Sequence, residues 1–367
     1  MPAMDRPILL PGLRRLWRGQ HSLQLGTDPR RAVVFDFVDP ATARVLDLID
    51  GSRGDTQIVR EAAGFGVPTE AAEAFLAALT RAGLVVGART LLPDNLIEPV
   101  RRRLVTEVAA LAMAGSAAGT PAEAVRRRAG ARVRISGHGR LAAPIAAALA
   151  AAGVGHVDPA LSGRVDVTDA GVGGILPTDT GRWRSTAAGE AVARIAPATD
   201  LRPLRDDAVT FAVHAGTHRP AELTALAYAR RRIPHLALDL RDGLAVVGPL
   251  VPPAGSPCLN CVDLHRRDRD PVWPALAAQL STGGEILQPC AVTTVLVAVG
   301  YAADEVLTFL DGGVPQTIGV TIEIAGPGRE RRRTWPAHPR CGCARAAQPG
   351  SERVRSANPR PRRFRPA

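Results

Sequence analysis

The chain has 367 residues, 46% hydrophobic and 4% aromatic, enough for two or three domains whose cores rest mainly on Ala, Val and Leu. The formal net charge is +11, and every one of the 46 basic residues is arginine, so mechanisms that need a lysine are excluded. No apolar run reaches the roughly 18 residues that span a bilayer, and the first ten residues lack the pattern of a signal peptide. We therefore predict a cytoplasmic protein that makes no membrane contact.

The excess positive charge lies at the C-terminal end of the sequence. Residues 329–367 contain twelve arginines against Glu330 and Glu352, whereas 34 arginines and 33 acidic residues precede them. The Arg- and Pro-rich residues 346–367 cannot bury an apolar face, which predicts a disordered, solvated tail. Because the rest of the chain is nearly neutral, nucleic-acid binding is not favoured; contact of the tail with an acidic partner is the alternative.

The first region, residues 1–90, has the pattern of a small α+β domain. Strands are predicted at residues 23–25 and 32–38, joined by a turn at 26–29. Helices are predicted at 40–49, from Asp55 or Thr56 as the cap to residue 63, and from Thr69 to about residue 82, before an extended segment at 83–86. A hairpin followed by three helices and a small wing is winged-helix-like.

Such a domain can bind DNA or a peptide. DNA-binding versions place a basic helix in the major groove, but the helix from residue 69 carries Glu70 and Glu73 in its first turn. The alternative is β-augmentation, in which an extended peptide pairs with an open strand edge. The candidate peptide-binding residues are Val33, Val34, Phe35, Asp36, Phe37 and Val38. A purely structural docking domain is a third interpretation.

Residues 91–130 are predicted to form a helical connector, and residues 131–345 alternate strands with helices. Strands are predicted at 133–135, 208–213, 235–240 and 244–247. An Ala-rich helix ends at Gly153, and a long apolar helix spans 291–310. This alternation predicts an α/β fold with a doubly wound, mostly parallel, Rossmann-like sheet.

Four of the five cysteines occur as two short pairs in this region. They are Cys258 and Cys261 in a CxxC, and Cys341 and Cys343 in a CxC. Disulfides are rare in the cytoplasm, so four thiolates predict a closed, tetrahedral, structural zinc site. A redox CxxC with an unrelated CxC is the alternative, as is His338 replacing one cysteine.

Cys290 stands at a helix start, where a thiolate can form, but a small buried residue is the favoured interpretation.

A glycine turn follows the first strand of the α/β region. Gly137, Gly139 and Arg140 lie between that strand and the Ala-rich helix, in the order of a nucleotide cradle. Simple strand-to-helix packing explains the turn equally well. With the cysteine pairs and Ala152-Gly153-Val154-Gly155, the turn resembles the ThiF/MoeB/E1 activating-enzyme superfamily over about residues 131–344. Residues 171–182 and 250–261 resemble its divergent branch, the E1-like leader-peptide-binding proteins associated with cyclodehydratases in thiazole/oxazole-modified peptide biosynthesis (RiPP biosynthesis).

This resemblance implies an E1-like fold that binds a precursor leader peptide beside a YcaO-type enzyme, and a homodimer. In that superfamily, adenylation uses charged groups that neutralise the triphosphate and hold magnesium. Lysine is absent, His214 stands where the family has an acid, and Leu161 lies where a ribose-binding acid is expected, with Asp158 out of register. We therefore predict a non-adenylating scaffold with a vestigial nucleotide turn. An active adenylyltransferase that uses ATP is the alternative, and sequence-selective DNA binding is a third.

Overall fold

The structure is a computed structural model that describes residues 6–115, 119–137, 140–216, 221–253, 255, 257–282 and 287–343. Gly139 of the predicted glycine turn and the predicted tail, residues 346–367, lie outside the described residues. Along the chain, an N-terminal α+β region is followed by connecting helices and a seven-stranded α/β region.

The N-terminal region contains two small antiparallel sheets and three helices. Its elements are β1 (Pro7–Leu9), β2 (Arg15–Trp17), β3 (Ser22–Leu25), β4 (Val33–Asp36), a 3-10 helix (Pro40–Asp47), α1 (Asp55–Ala63), α2 (Thr69–Arg81) and β5 (Val85–Gly87). β2, β3 and β4 form one sheet, and β1 pairs with β5. Leu23 and Leu25 alternate inward from β3 and are buried against Leu79 of α2. The predicted cap of α1 is wrong, because Gly54 precedes the helix and no side chain caps it.

The connector is helical, as predicted. It comprises α3 (Ala88–Leu91), α4 (Glu98–Ala114) and α5 (Pro121–Gly130). A reciprocal pair of hydrogen bonds between Thr120 and Glu123 caps the start of α5. Arg128 near its end is buried and bonds the carboxylates of Glu107 and Asp311, so one side chain joins the connector to the α/β region.

The α/β region is built on one sheet of seven strands. Its elements are β6 (Arg132–Gly137), α6 (Ala142–Ala151), β7 (His156–Leu161), α7 (Arg184–Ile195), β8 (Phe211–Ala215), α8 (Ala221–Arg231), β9 (His235–Arg241), β10 (Leu244–Val251), α9 (Leu259–Arg269), α10 (Trp273–Thr282), α11 (Val292–Leu310), β11 (Val320–Gly326) and β12 (Arg329–Thr334). The strand order is β12-β11-β10-β9-β8-β6-β7. The predicted doubly wound, mostly parallel sheet is confirmed. β7, β6, β8 and β9 are parallel, and β10 to β12 add an antiparallel extension.

The two faces of this sheet differ in chemistry. One face carries buried apolar side chains such as Ile135, Val213 and Leu238, which pack with α6, α7 and α11. The other face carries polar side chains, among them Ser136 and His214, and α8 lies on it. The two faces alternate along each strand because successive side chains point to opposite sides.

Of the described helices, α11 is long and apolar enough to cross a membrane by length and composition alone. The sequence prediction that no segment meets this criterion is therefore wrong. Ala298, Ala302 and Val306 of α11 are fully buried in the main core. α11 therefore packs as a core helix of the α/β region. A core helix is apolar because other apolar side chains surround it, just as lipid chains surround a membrane span.

Candidate metal centre and peptide-binding edge

Four cysteine side chains meet at the start of α9. Cys258 immediately precedes this helix and Cys261 lies in its first turn, whereas Cys341 and Cys343 follow β12. Cys258 Sγ lies 4.0 Å from Cys261 Sγ and 3.6 Å from Cys341 Sγ, and Cys261 Sγ lies 3.3 Å from Cys343 Sγ. All four sulfurs lie within 4.8 Å of one another. The structure thus brings together two pairs that are some 80 residues apart in sequence.

The sulfur spacing suits a tetrahedral metal ion. With Zn–S bonds of about 2.3 Å, sulfurs at the corners of a tetrahedron are about 3.8 Å apart. Burial raises the pKa of the Cys261 thiol to about 11 and the pKa of the Cys258 thiol well above its ordinary range. Without a cation the buried thiols therefore stay protonated, and a bound metal ion would deprotonate them by direct coordination. The cluster can therefore bind a metal ion that prefers sulfur ligands.

The groups around the cysteines suit thiolates and exclude a histidine ligand. The His338 N–H lies 3.4 Å from Cys261 Sγ, and Asn260 Nδ2 lies 3.6 Å from Cys341 Sγ. His338 Nδ1 accepts the Arg340 N–H at 3.1 Å, and its Nε2 lies 2.8 Å from Asp268 Oδ2. Because both ring nitrogens are engaged elsewhere, the geometry does not support the alternative in which His338 replaces a cysteine.

β4 is an edge strand, as a peptide-binding strand requires. Among the described residues it pairs with β3 alone, with Phe35 opposite Leu23. The Phe37 N–H donates to His21 O at 2.8 Å. Residues alternate in an antiparallel ladder, so the backbone groups of Val34 and Asp36 point away from β3. An incoming extended chain would find donors and acceptors at both positions.

An aromatic cluster adjoins this edge. Phe75 of α2 makes edge-to-face contacts with Phe35 and Phe37, with ring centroids 5.2 Å and 5.0 Å apart. Trp17 of β2 contacts Phe37 at 6.3 Å and is 52% exposed. Phe75 is buried, whereas Phe35 and Phe37 are half-buried. The cluster is therefore anchored on the α2 side and open to solvent on the other. Sequence reasoning missed Trp17, although an aromatic residue in so aromatic-poor a chain was a signal.

The predicted peptide-binding residues divide into two sets. Val33, Phe35 and Phe37 face the aromatic cluster and the domain core, and Val34, Asp36 and Val38 are exposed. Apolar surface and free backbone groups thus occur on the same strand, which is the combination that β-augmentation uses.

Gly137 and Arg140 lie where ligands bind in doubly wound sheets, at the carboxyl ends of β6 and β8 where the strand order reverses. Gly137 has φ +108°, and an added Cβ would lie 1.9 Å from Ala215 O. The close approach of β8 therefore requires glycine here whether or not a nucleotide binds. Arg140 Nη1 donates to Cys290 O at 2.7 Å, so this arginine ties the turn to the segment before α11. Burial raises the pKa of the half-buried Cys290 thiol, which disfavours a thiolate there.

The charged groups nearby serve other contacts. Asp158 of β7 accepts from Arg134 Nε at 3.0 Å and from the Leu204 N–H at 3.0 Å, so it is committed to an internal network. His214 near the end of β8 lies 2.6 Å from Ser136 Oγ through its Nδ1.

The chain combines a doubly wound sheet with an antiparallel extension and an N-terminal α+β region, and it shares this fold with solved E1-like structures. No protein-family model and no curated protein sequence matches the chain. Among solved structures, E. coli MccB with ATP is 13% identical, with a TM-score of 0.62 over 92% of this chain and 99% of that chain. The microcin C7 biosynthetic enzyme MccB in complex with N-formylated MccA gives the same figures. PaaA is 17% identical, with a TM-score of 0.63 over 88% of this chain and 98% of that chain.

At these identities the similarity extends to the fold alone. The resemblance to the ThiF/MoeB/E1 superfamily that the sequence suggested is confirmed at that level. The similarity also covers the N-terminal region, because nearly the whole chain aligns.

Proposed function

We propose that this protein is an E1-like scaffold that binds the leader segment of a precursor peptide along β4. It would present that peptide to a separate YcaO-type modifying enzyme in azole-modified peptide biosynthesis. The observation that carries the proposal is the open backbone edge of β4 beside the half-buried aromatic cluster. A structure of this fold in complex with N-formylated MccA supports it.

The binding step follows from the chemistry of the edge. A peptide in extended conformation would exchange backbone hydrogen bonds with Val34 and Asp36, each contributing about 0.5–1.5 kcal/mol. Alternate peptide side chains would then pack against Phe35 and Phe37, where an aromatic contact adds about 0.5–1.5 kcal/mol. These contacts add to the free energy gained from the apolar area that the peptide buries, and together they must exceed the entropy cost of ordering the peptide.

The remaining parts of the molecule have supporting roles in this proposal. Residues 1–90 form the winged-helix-like recognition domain, 91–130 the connector and 131–345 the E1-like domain. Zinc in the four-cysteine cluster would fix the segment after β12 to α9. The protein would act in the cytoplasm as a homodimer.

An active adenylyltransferase is the second candidate, because MccB has been solved with ATP. Three observations favour the scaffold. Asp158 is committed to Arg134, Gly137 is required by packing, and the chain has no lysine to neutralise a triphosphate. Robust ATP–pyrophosphate exchange in the presence of the peptide would establish the enzyme instead.

The peptide-binding proposal is tested by fluorescence polarisation. The neighbouring genes are first searched for a short precursor-peptide gene, and the labelled leader segment of that peptide is the probe. Val34→Pro removes an outward N–H without touching the bonds to β3, and we expect it to weaken binding at least about tenfold, equivalent to about 1.4 kcal/mol. Val34→Ala keeps the N–H and is the matched control, with binding within about twofold of wild type. Equal binding by both variants would refute the β4 edge as the docking site.

A further inference from the structure

Three arginines converge on the polar face of the seven-stranded sheet. Arg241 ends β9, Arg266 lies on α9 and Arg333 lies on β12. Arg241 Nη2 is 3.4 Å and Arg333 Nη2 is 3.6 Å from the same oxygen of Glu323. Both distances exceed the 2.7–2.9 Å of a strong charge-assisted hydrogen bond. Glu323 is therefore shared loosely between two cations.

Arg266 has no hydrogen bond and no ion pair with any residue that the structure describes. Its guanidinium carbon lies 5.0 Å from the ring centroid of Trp273, and that of Arg333 lies 5.5 Å from the ring of Trp335. Stacking holds the guanidinium plane and leaves its N–H edges available. Burial, together with the charge of Arg241, lowers the pKa of Arg266. A half-buried cation without an acceptor is costly, which favours a ligand at this position.

The neighbouring carboxylates do not satisfy Arg266. Asp263 on the same helix accepts the indole N–H of Trp273 at 2.5 Å. Asp239 and Glu323 flank Val246 in the register of β9, β10 and β11. No carboxylate oxygen of these three lies within ion-pair distance, 4.0 Å, of Arg266. If these groups formed an internal ion-pair network, the long and flexible Arg266 side chain would lie within ion-pair distance of one of the three carboxylates.

We propose that Arg241, Arg266 and Arg333 form a subsite for an oxyanion, the phosphate or carboxylate group of a ligand. The free N–H edge of Arg266 supplies the main donors, and Arg241 and Arg333 turn their second N–H groups from Glu323 to the same ligand oxygens. This subsite is separate from β4 and does not depend on the leader-binding proposal.

Thermal unfolding of the full-length protein tests the subsite, with inorganic phosphate and succinate titrated separately at fixed ionic strength. We expect at least one to raise the Tm in the millimolar range; a shift with phosphate alone or with succinate alone identifies the kind of oxyanion. Arg266→Met should abolish the shift. Its ligand-free Tm should change by no more than about 2 °C, because Met removes an unpaired, half-buried charge together with its contact to the Trp273 ring.

Arg269→Gln is the matched control, since it removes an exposed charge from the same helix and should keep the shift. A ligand-free Tm that is unchanged or lower in Arg266→Met, together with a shift by phosphate or succinate that persists in this variant, would overturn the proposal. So would no shift with either ion, or a shift of equal size in Arg266→Met, which would place binding elsewhere among the many arginines.

Discussion

Arg128 is the side chain whose replacement should cost the most stability at the joint between connector and α/β region. It is 2% exposed. It donates to Asp311 through Nε at 2.8 Å and Nη2 at 2.6 Å, to Glu107 at 2.6 Å and to Ala152 O at 3.0 Å. One guanidinium thus bonds groups from α4, the end of α6 and the end of α11. The substitution Arg128→Met keeps an unbranched side chain and removes the charge.

The expected loss can be divided between the two carboxylates. Glu107 is 35% exposed and can regain water, so its share is small. Asp311 is 14% exposed and stands at the C-terminal end of α11, where the helix dipole disfavours negative charge. Breaking a buried pair on one side costs about 3–5 kcal/mol. Since one of the two partners is partly hydrated, we expect about 3 kcal/mol less free energy of unfolding.

Urea denaturation followed by circular dichroism measures this difference. Arg126→Met is the control, because Arg126 is an exposed neighbour on α5 and should change stability by less than about 0.5 kcal/mol. Arg128→Met with Asp311→Leu removes the stranded charge and should recover part of the loss. A single variant that loses under about 1 kcal/mol, or a double variant no more stable than the single, would refute this account.

Two further predictions concern the cysteines and a buried histidine. Cys341→Ser should reduce bound zinc from one ion per chain to none by elemental analysis and lower the Tm, whereas Cys290→Ser should keep the metal; an unchanged zinc content in Cys341→Ser would contradict the site. Burial lowers the pKa of His235 to about 4 from 6.5, so the folded state resists protonation. The stability it contributes is complete above pH 6.5 and is lost as pH falls toward 4, by up to about 3 kcal/mol. His235→Phe should flatten the stability profile over that range, and an unchanged slope would show that other groups titrate.

Some parts of the fold could be predicted because local pattern decides them. α1, α2 and α11 were located to within a few residues, since apolar periodicity and flanking glycines define a helix locally. β12 was missed because its sequence, Arg-Glu-Arg-Arg-Arg-Thr, lacks any apolar alternation. Its strand conformation is imposed by pairing with β11 at the sheet edge. A charged edge strand of this kind also discourages unwanted pairing with other chains.

The sequence by itself determined the α/β class, the four candidate metal ligands and the absence of lysine, because residue identity and short-range spacing are sufficient for each. Only the tertiary structure decided that Gly137 is needed against Ala215, that His338 is engaged by Asp268, and that Arg266 has no hydrogen-bond or ion-pair partner among the described residues. These are contacts between segments far apart in the chain. Whether a buried donor finds an acceptor depends on which elements pack over it, and no local pattern encodes that.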